Sequence, residues 1–236
     1  TTEIYTLSLH DALPIFDIRG RIIVLSLGAG QTNPEFTVNS TVAYNQNNPD
    51  ISVTGDSALV AWESMNSSGN DDIRGRIFTM SSGTANGSDF LVSSTVTNDQ
   101  WYPKVSASGD RALVVWWSSD NGSTALLEGD IRGRFIDMTT AESQSGAEIL
   151  VSTTTRNSQW WPRLSMADDK AFVVWESNDT GMYDIRGRMI DMIAKQGIGN
   201  DFLVNTTTED DQRYPDICIS GNQALVVWTS ENGTDF

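Results

Sequence analysis

Gln100-Trp-Tyr-Pro-Lys-Val-Ser-Ala-Ser-Gly-Asp-Arg-Ala-Leu-Val-Val-Trp-Trp-Ser118 holds two strands and the turn between them. Lys104–Ser108 alternates polar and apolar residues, the period of a half-exposed strand, and Gly109-Asp110 is a two-residue hairpin connection. Ala112–Trp117 is apolar at every position, which predicts a strand buried on both faces. Beyond a loop rich in Asn, Asp and Gly, Asp130-Ile-Arg-Gly-Arg-Phe-Ile136 reads as a third strand and Glu148-Ile-Leu-Val-Ser152 as a fourth. No helical periodicity competes with these segments.

The unit recurs. Asp-Ile-Arg-Gly-Arg stands at Asp17–Arg21, Asp72–Arg76, Asp130–Arg134 and Asp184–Arg188, and an apolar run ending in Trp-x-Ser at Ala58–Ser64, Ala112–Ser118, Ala171–Ser177 and Ala224–Ser230. A Gln lies three residues ahead of a Pro at Gln46/Pro49, Gln100/Pro103, Gln159/Pro162 and Gln212/Pro215, and these prolines are 54, 59 and 53 residues apart. Four antiparallel strands per repeat predict an all-β fold, a β-propeller of four-stranded blades with about four blade equivalents. A parallel β-helix would need shorter rungs, and a β-sandwich would not need near-identical units. The predicted division is a non-native leader at 1–15 and a repeat array at 16–236: a partial blade 16–45, blades 46–97, 98–156 and 157–209, and a partial blade 210–236. The two partial blades add up to one more blade. This leaves a closed four-blade ring and a fragment of a larger ring both open, and the leader favours the fragment.

That leader, Tyr5 to Ile15, resembles the in-frame translation of a common sequencing adapter, so His10, the only histidine, is given no functional weight. The 31 Asp and Glu against 15 Lys and Arg leave a formal charge of −16, which disfavours nucleic acid or an anionic membrane as partner. No run of 18 apolar residues is present for membrane insertion. Cys218 is the only cysteine, so there is no disulfide framework, and between Ile217 and Ile219 it reads as a small buried hydrophobe.

The repeat resembles WD40-like and TolB-like β-propeller repeats. It is similar above all to repeats of large secreted bacterial adhesin-like and hemolysin-type calcium-binding proteins, through Gln159, Pro162, Val173-Val-Trp-Glu-Ser177 and Asp184-Ile-Arg-Gly-Arg188. The second Arg of that last motif falls one place earlier than in the family pattern. The resemblance implies an extracellular or cell-surface location, or a periplasmic one, with further blades or domains flanking the array. It also leaves calcium open as a ligand and a protein or glycan open as partner. The acidic loops Asn70–Asp72, Asp120–Gly122, Asp168–Asp169, Asn178–Asp179 and Glu209–Asp211 match neither an EF-hand nor a calcium nonapeptide, and read as solvated turns.

Residues that recur in every unit are expected to serve the scaffold. In the Asp-Ile-Arg-Gly-Arg strands, Asp72, Arg74 and Arg76, Asp130, Arg132 and Arg134, and Asp184, Arg186 and Arg188 share one face by the period of two. Their arginines are expected to stack on aromatic rings or fork onto Asp and backbone carbonyls. Gly75, Gly133 and Gly187 are expected to make room for a tryptophan. Trp62, Trp116, Trp175 and Trp228 are expected between blades. A catalytic arginine cluster of the sialidase type is the competing reading, but the turns at Val105–Asp110 and Leu164–Asp169 depart from the Ser-x-Asp-x-Gly-x-x-Trp form.

The spare aromatics beside the prolines, Trp101, Tyr102, Trp160, Trp161 and Tyr214, are candidate ligand-binding residues at the rim of the ring, with only one of each adjacent pair able to face the sheet. Near-uniform repeats point to a noncatalytic structural or adhesive module of a bacterial surface or secreted protein, not an enzyme and without cofactor. The alternative is a glycan-binding or glycan-processing propeller. Under that alternative the insertion Ser123–Glu128 offers Glu128 as acid or base.

Overall fold

The structure, a computed structural model, describes residues 15–25, 34–119, 128–140, 147–231 and 233. The leader up to Pro14, with His10, lies outside the described residues, and so do Asp120–Leu127.

Strands β1 (Arg19–Gly20) and β2 (Phe36–Thr37) form a two-stranded sheet. The next sheet runs β3 (Gln46–Thr54), β4 (Ser57–Met65) and β5 (Asp71–Thr79), with the short β6 (Thr84–Ala85) and β7 (Phe90–Leu91) both paired to β5. Two four-stranded sheets follow. One is β8 (Gln100–Ser108), β9 (Arg111–Ser118), β10 (Asp130–Asp137) and β11 (Ile149–Leu150); the other is β12 (Gln159–Ala167), β13 (Lys170–Ser177), β14 (Asp184–Asp191) and β15 (Gln196–Leu203). The last sheet is β16 (Gln212–Ser220) with β17 (Gln223–Ser230). Every pairing is antiparallel, the meander of propeller blades. Among the described residues β1–β2 and β16–β17 form separate two-stranded sheets.

The strands β3, β8, β12 and β16 lie side by side as the inner strands, joined across blades by Val105 N–H to Asp50 (2.8 Å), Ala107 N–H to Ser52 (3.0 Å) and Ile219 N–H to Ser165 (3.0 Å). Alternation along the second strands then divides their side chains between two neighbours. On β9, Ala112, Val114 and Trp116 join Leu59, Ala61 and Ile73 of the preceding blade, while Leu113, Val115 and Trp117 join Val173 and Trp175 of the following one. β17 has the same sequence pattern, but no described sheet covers its outer face, and Leu225 and Val227 are exposed.

The expectation for Cys218 is corrected here. It pairs in register with Leu225 on that outer face and is exposed. The isoleucines beside it point to the other face and pack against the preceding blade.

Four copies of one hydrogen bond tie the first strand of a blade to the second. The indole Nε1 of Trp62, Trp116, Trp175 and Trp228 donates to Gln46, Gln100, Gln159 and Gln212, at 2.8, 2.8, 2.8 and 2.9 Å. The Asp-Ile-Arg-Gly-Arg strands join one blade to the next. Arg74 pairs with Asp89 at 2.6 Å, and Asp89 also accepts from the N–H groups of Ser40 and Thr41 in the partial blade before it. Arg186 and Asp201 do the same with Thr153 and Thr154. Arg132 and Glu148 do so with Ser94. The second arginines, Arg76, Arg134 and Arg188, donate to the carbonyls of Val38, Val92 and Val151 in the preceding blade.

The glycines of these strands do not make room for a tryptophan. A Cβ on Gly75 would lie 3.1 Å from both the Phe90 ring and Val92, one on Gly133 3.1 Å from Val151, and one on Gly187 2.7 Å from the Phe172 ring. Fourth-strand Val and Phe residues, and Phe172 of β13, fill the space. The tryptophans are already committed to Gln.

Gln159→Leu should leave the buried Trp175 N–H without a partner and cost about 1–3 kcal/mol. Urea unfolding of Gln159→Leu, Trp175→Phe and the double variant checks it. The double variant should cost less than the sum of the two single changes.

Candidate functional site

Each inner strand begins with a bulge. Pairing with the second strand slips between Asn47 and Asp50, Trp101 and Lys104, Trp160 and Arg163, and Arg213 and Asp216, so one extra residue is accommodated each time. The proline in each bulge has no N–H to offer a ladder, which suits it to this place. The residue before it takes a left-handed backbone: Asn48 (φ 48°), Tyr102 (56°), Trp161 (52°) and Tyr214 (56°). A non-glycine residue there, ahead of a proline, carries strain of roughly 1–3 kcal/mol, and such strain gathers at functional sites.

The bulges decide where the aromatic side chains go. Trp101 and Trp160 turn inward and sandwich Trp117, with ring centroids 4.9 and 4.4 Å away and interplanar angles of 14° and 8°. Tyr102 and Trp161 turn toward the end of the propeller and meet at 4.2 Å. They line an open depression of about 290 Å³ with Asn48, Lys104 and Arg163, floored by Pro49 and Pro103. Tyr214 is not part of this lining and is 61% exposed. Of the five candidate aromatics, two therefore line the depression, two support it from beneath and one stands apart.

Two further residues anchor the bulges, and their role was not evident in the sequence. Glu63 and Glu176 follow the blade tryptophans, and each accepts the N–H of the strained residue in the next blade: Tyr102 to Glu63 at 2.7 Å and Tyr214 to Glu176 at 2.6 Å. Glu63 also accepts from Asn48 Nδ2 at 2.7 Å. Burial pushes both carboxyls up from the ordinary glutamate value, against the pull of these hydrogen bonds. Neighbouring Asp71 and Asp99 raise Glu63 further. In the blade between them the same position is Trp117, whose buried indole N–H has no hydrogen-bond partner among the described residues and whose faces are both stacked. The signal in the sequence was Trp-Glu-Ser in two repeats against Trp-Trp-Ser in a third.

Several carboxyls elsewhere serve the scaffold. Burial pushes Asp130 up to about 6. Burial also raises Asp89, but the Thr41 N–H and the Arg74 guanidinium outweigh it and hold the carboxyl down at about 2. In the acidic loops, Asp71 accepts from Trp101 Nε1, Asp179 pairs with Arg186, and Asp211 pairs with Arg213. Among the described residues no group of three His, Cys, Asp or Glu is placed to hold a metal ion. Glu128 is half-buried and outside the lining of the depression, and Ser123–Leu127 lie outside the described residues. No described helix is long and apolar enough to cross a membrane.

No family model matches the sequence, and no curated protein does. Among solved structures, the chain is similar to an alpha-L-arabinofuranosidase from Lactobacillus brevis, with TM-score 0.50 and 8% identity over 86% of this chain and 73% of that one. It is also similar to a thermostable family-43 glycoside hydrolase (0.49, 12%, covering 79% and 66%) and to a xylan beta-1,4-xylosidase from Bacillus halodurans C-125 (0.47, 14%, covering 78% and 37%). At such identities the shared property is the propeller-like all-β fold. The expectation of a noncatalytic structural or adhesive module that is no enzyme is corrected by this finding: the propeller-like fold it was read from is one that an alpha-L-arabinofuranosidase also has.

A carboxyl raised on folding binds its proton more tightly in the folded chain. Glu176 should therefore lower stability as pH rises from the ordinary glutamate value through the raised one. Urea midpoints measured between about pH 4 and 8 should show the native chain losing stability relative to Glu176→Gln as pH rises. Parallel curves would remove Glu176 from the account.

Proposed function

We propose that this chain is a glycan-processing propeller whose sugar-binding site is the depression lined by Tyr102 and Trp161. One observation carries the reading: two strained bulges on adjacent inner strands bring these aromatic rings together at 4.2 Å at the end of the propeller. Sugar rings present C–H faces that pack on aromatic surfaces, while Asn48, Lys104 and Arg163 supply polar groups for the hydroxyls. The rigid stack of Trp101, Trp117 and Trp160 beneath holds the platform in place, which lowers the ordering cost of binding.

For bond cleavage the candidate acid is Glu63. Its carboxyl is held toward the protonated form by burial, and it is hydrogen-bonded to two residues of the lining, Tyr102 and Asn48. An extracellular or cell-surface location, with a soluble acidic surface, completes the proposal.

Binding to a panel of arabinan, xylan and other oligosaccharides, with product release followed in parallel, tests this reading. Trp161→Ala should weaken binding by roughly tenfold, about 1.4 kcal/mol, with little change in the unfolding midpoint. Trp101→Ala should instead cost about 3 kcal/mol of stability. Glu63→Gln should stop any hydrolysis while keeping binding. Equal loss of stability in Trp161→Ala and Trp101→Ala, with no glycan bound by the native chain, would reduce the aromatics to core packing.

A further inference from the structure

The side chains that line the depression carry the charge opposite to that of the chain as a whole. The chain carries a formal −16, yet the lining includes Lys104 and Arg163 and no carboxylate. Lys104 is partly compensated by Asp50, with Nζ 3.5 Å from its carboxylate and both side chains about a quarter exposed. Arg163 donates from Nη1 to the carbonyl of Pro162 at 2.9 Å. Among the described residues no carboxylate lies within 4 Å of its guanidinium, although Glu176 is near enough to feel its charge.

A comparison of the repeats shows that this is local. The residue after the bulge proline is Asp50, Lys104, Arg163 and Asp216 in the four inner strands. It is basic only in the two strands whose bulges bring Tyr102 and Trp161 together. Cation and aromatic platform thus coincide on the same two blades, and the other two carry acid at that position.

Resting on the glycan reading above, we infer that the depression selects an acidic sugar, a uronate-type ring whose carboxylate meets Arg163 and Lys104 while its face packs on Trp161 and Tyr102. A planar guanidinium matches a carboxylate through paired hydrogen bonds. The two cations in the lining also attract an approaching acidic glycan, an effect that salt screens.

The test compares galacturonate oligosaccharides with their methyl esters, which keep the ring and lose the charge. Glucuronate, sialate, sulfated and neutral galactose oligosaccharides are measured alongside by calorimetry. The expected result is that an acid form binds at least about tenfold tighter than its ester, a factor that shrinks as salt rises. Arg163→Gln should remove most of that factor, weakening the acid form far more than the ester, with the unfolding midpoint unchanged. Equal binding of acid, ester and neutral sugars would overturn the acidic selection and leave the glycan site standing, as would sulfated sugars bound in preference to uronates. Binding of none of them by the folded chain would overturn both.

Discussion

The hydrogen bond from a buried indole N–H to a glutamine at the start of the inner strand is the constraint on which the blade depends. Trp62, Trp116 and Trp175 are fully buried, and an unpaired indole N–H in such a place costs about 1–3 kcal/mol. Gln46, Gln100 and Gln159 supply the acceptor, and each is itself buried. The bond fixes the ladder immediately before the proline, and the register slips immediately after it. The bulge is thereby held at one place in each blade, and the residue at its crest must take the left-handed backbone that aims its side chain out of the sheet. The rim of the propeller follows from the core of the blade.

Cohesion between blades uses different groups. The two arginines of the Asp-Ile-Arg-Gly-Arg segment in β5, β10 and β14 reach backward, one through a carboxylate to backbone N–H groups and one directly to a backbone carbonyl. The donors and acceptors they satisfy belong to chain leaving a strand, where no ladder is available. This explains why arginine rather than lysine recurs. One guanidinium can satisfy several acceptors in a fixed fork, as Arg186 does with Asp179 and Asp201 at 3.0 and 2.7 Å. These arginines look catalytic in one copy and are structural in three, because the blade-to-blade contact they serve is repeated.

Much of this was legible in sequence because strand periods, hairpin turns and repeated markers are local signals. Gln100 and Trp116 were both recognisable as repeated, and the all-apolar run at Ala112–Trp117 gave burial on two faces. The bond between them was not legible, because it depends on which residues a bulged register places opposite each other. The same limit explains the glycines: Gly75 and Gly187 are crowded by Phe90, Val92 and Phe172, and only the register identifies these partners. Cys218 was misread because its apolar neighbours were taken as its environment, whereas a strand sends adjacent residues to opposite faces. Trp101 and Trp160 could not be told from Tyr102 and Trp161 until the bulge set their directions. Glu63 and Glu176 were missed for a related reason: their partners are backbone N–H groups some 40 residues on, in the next blade.

A repeated scaffold can acquire a unique site only where a repeat departs from its fellows without disturbing the bonds that hold the blades. The position after the blade tryptophan is such a place. It faces the next bulge, and it is Glu63, Trp117, Glu176 and Thr229 in the four copies. With Glu63 or Glu176, a carboxylate secures the strained N–H of the following blade. With Trp117 that anchor is given up, and the indole instead lies between Trp101 and Trp160 at van der Waals distance. The exchange converts a polar contact between two blades into an aromatic stack. The stack in turn requires a flat partner on each side, so the aromatics of these two bulges form a set with Trp117. The depression lies above this set because the blade of β8 to β11 tolerates a tryptophan where its neighbours carry glutamate. The symmetry of the propeller is broken there by a substitution whose cost, an unpaired indole N–H, is offset by stacking on both faces.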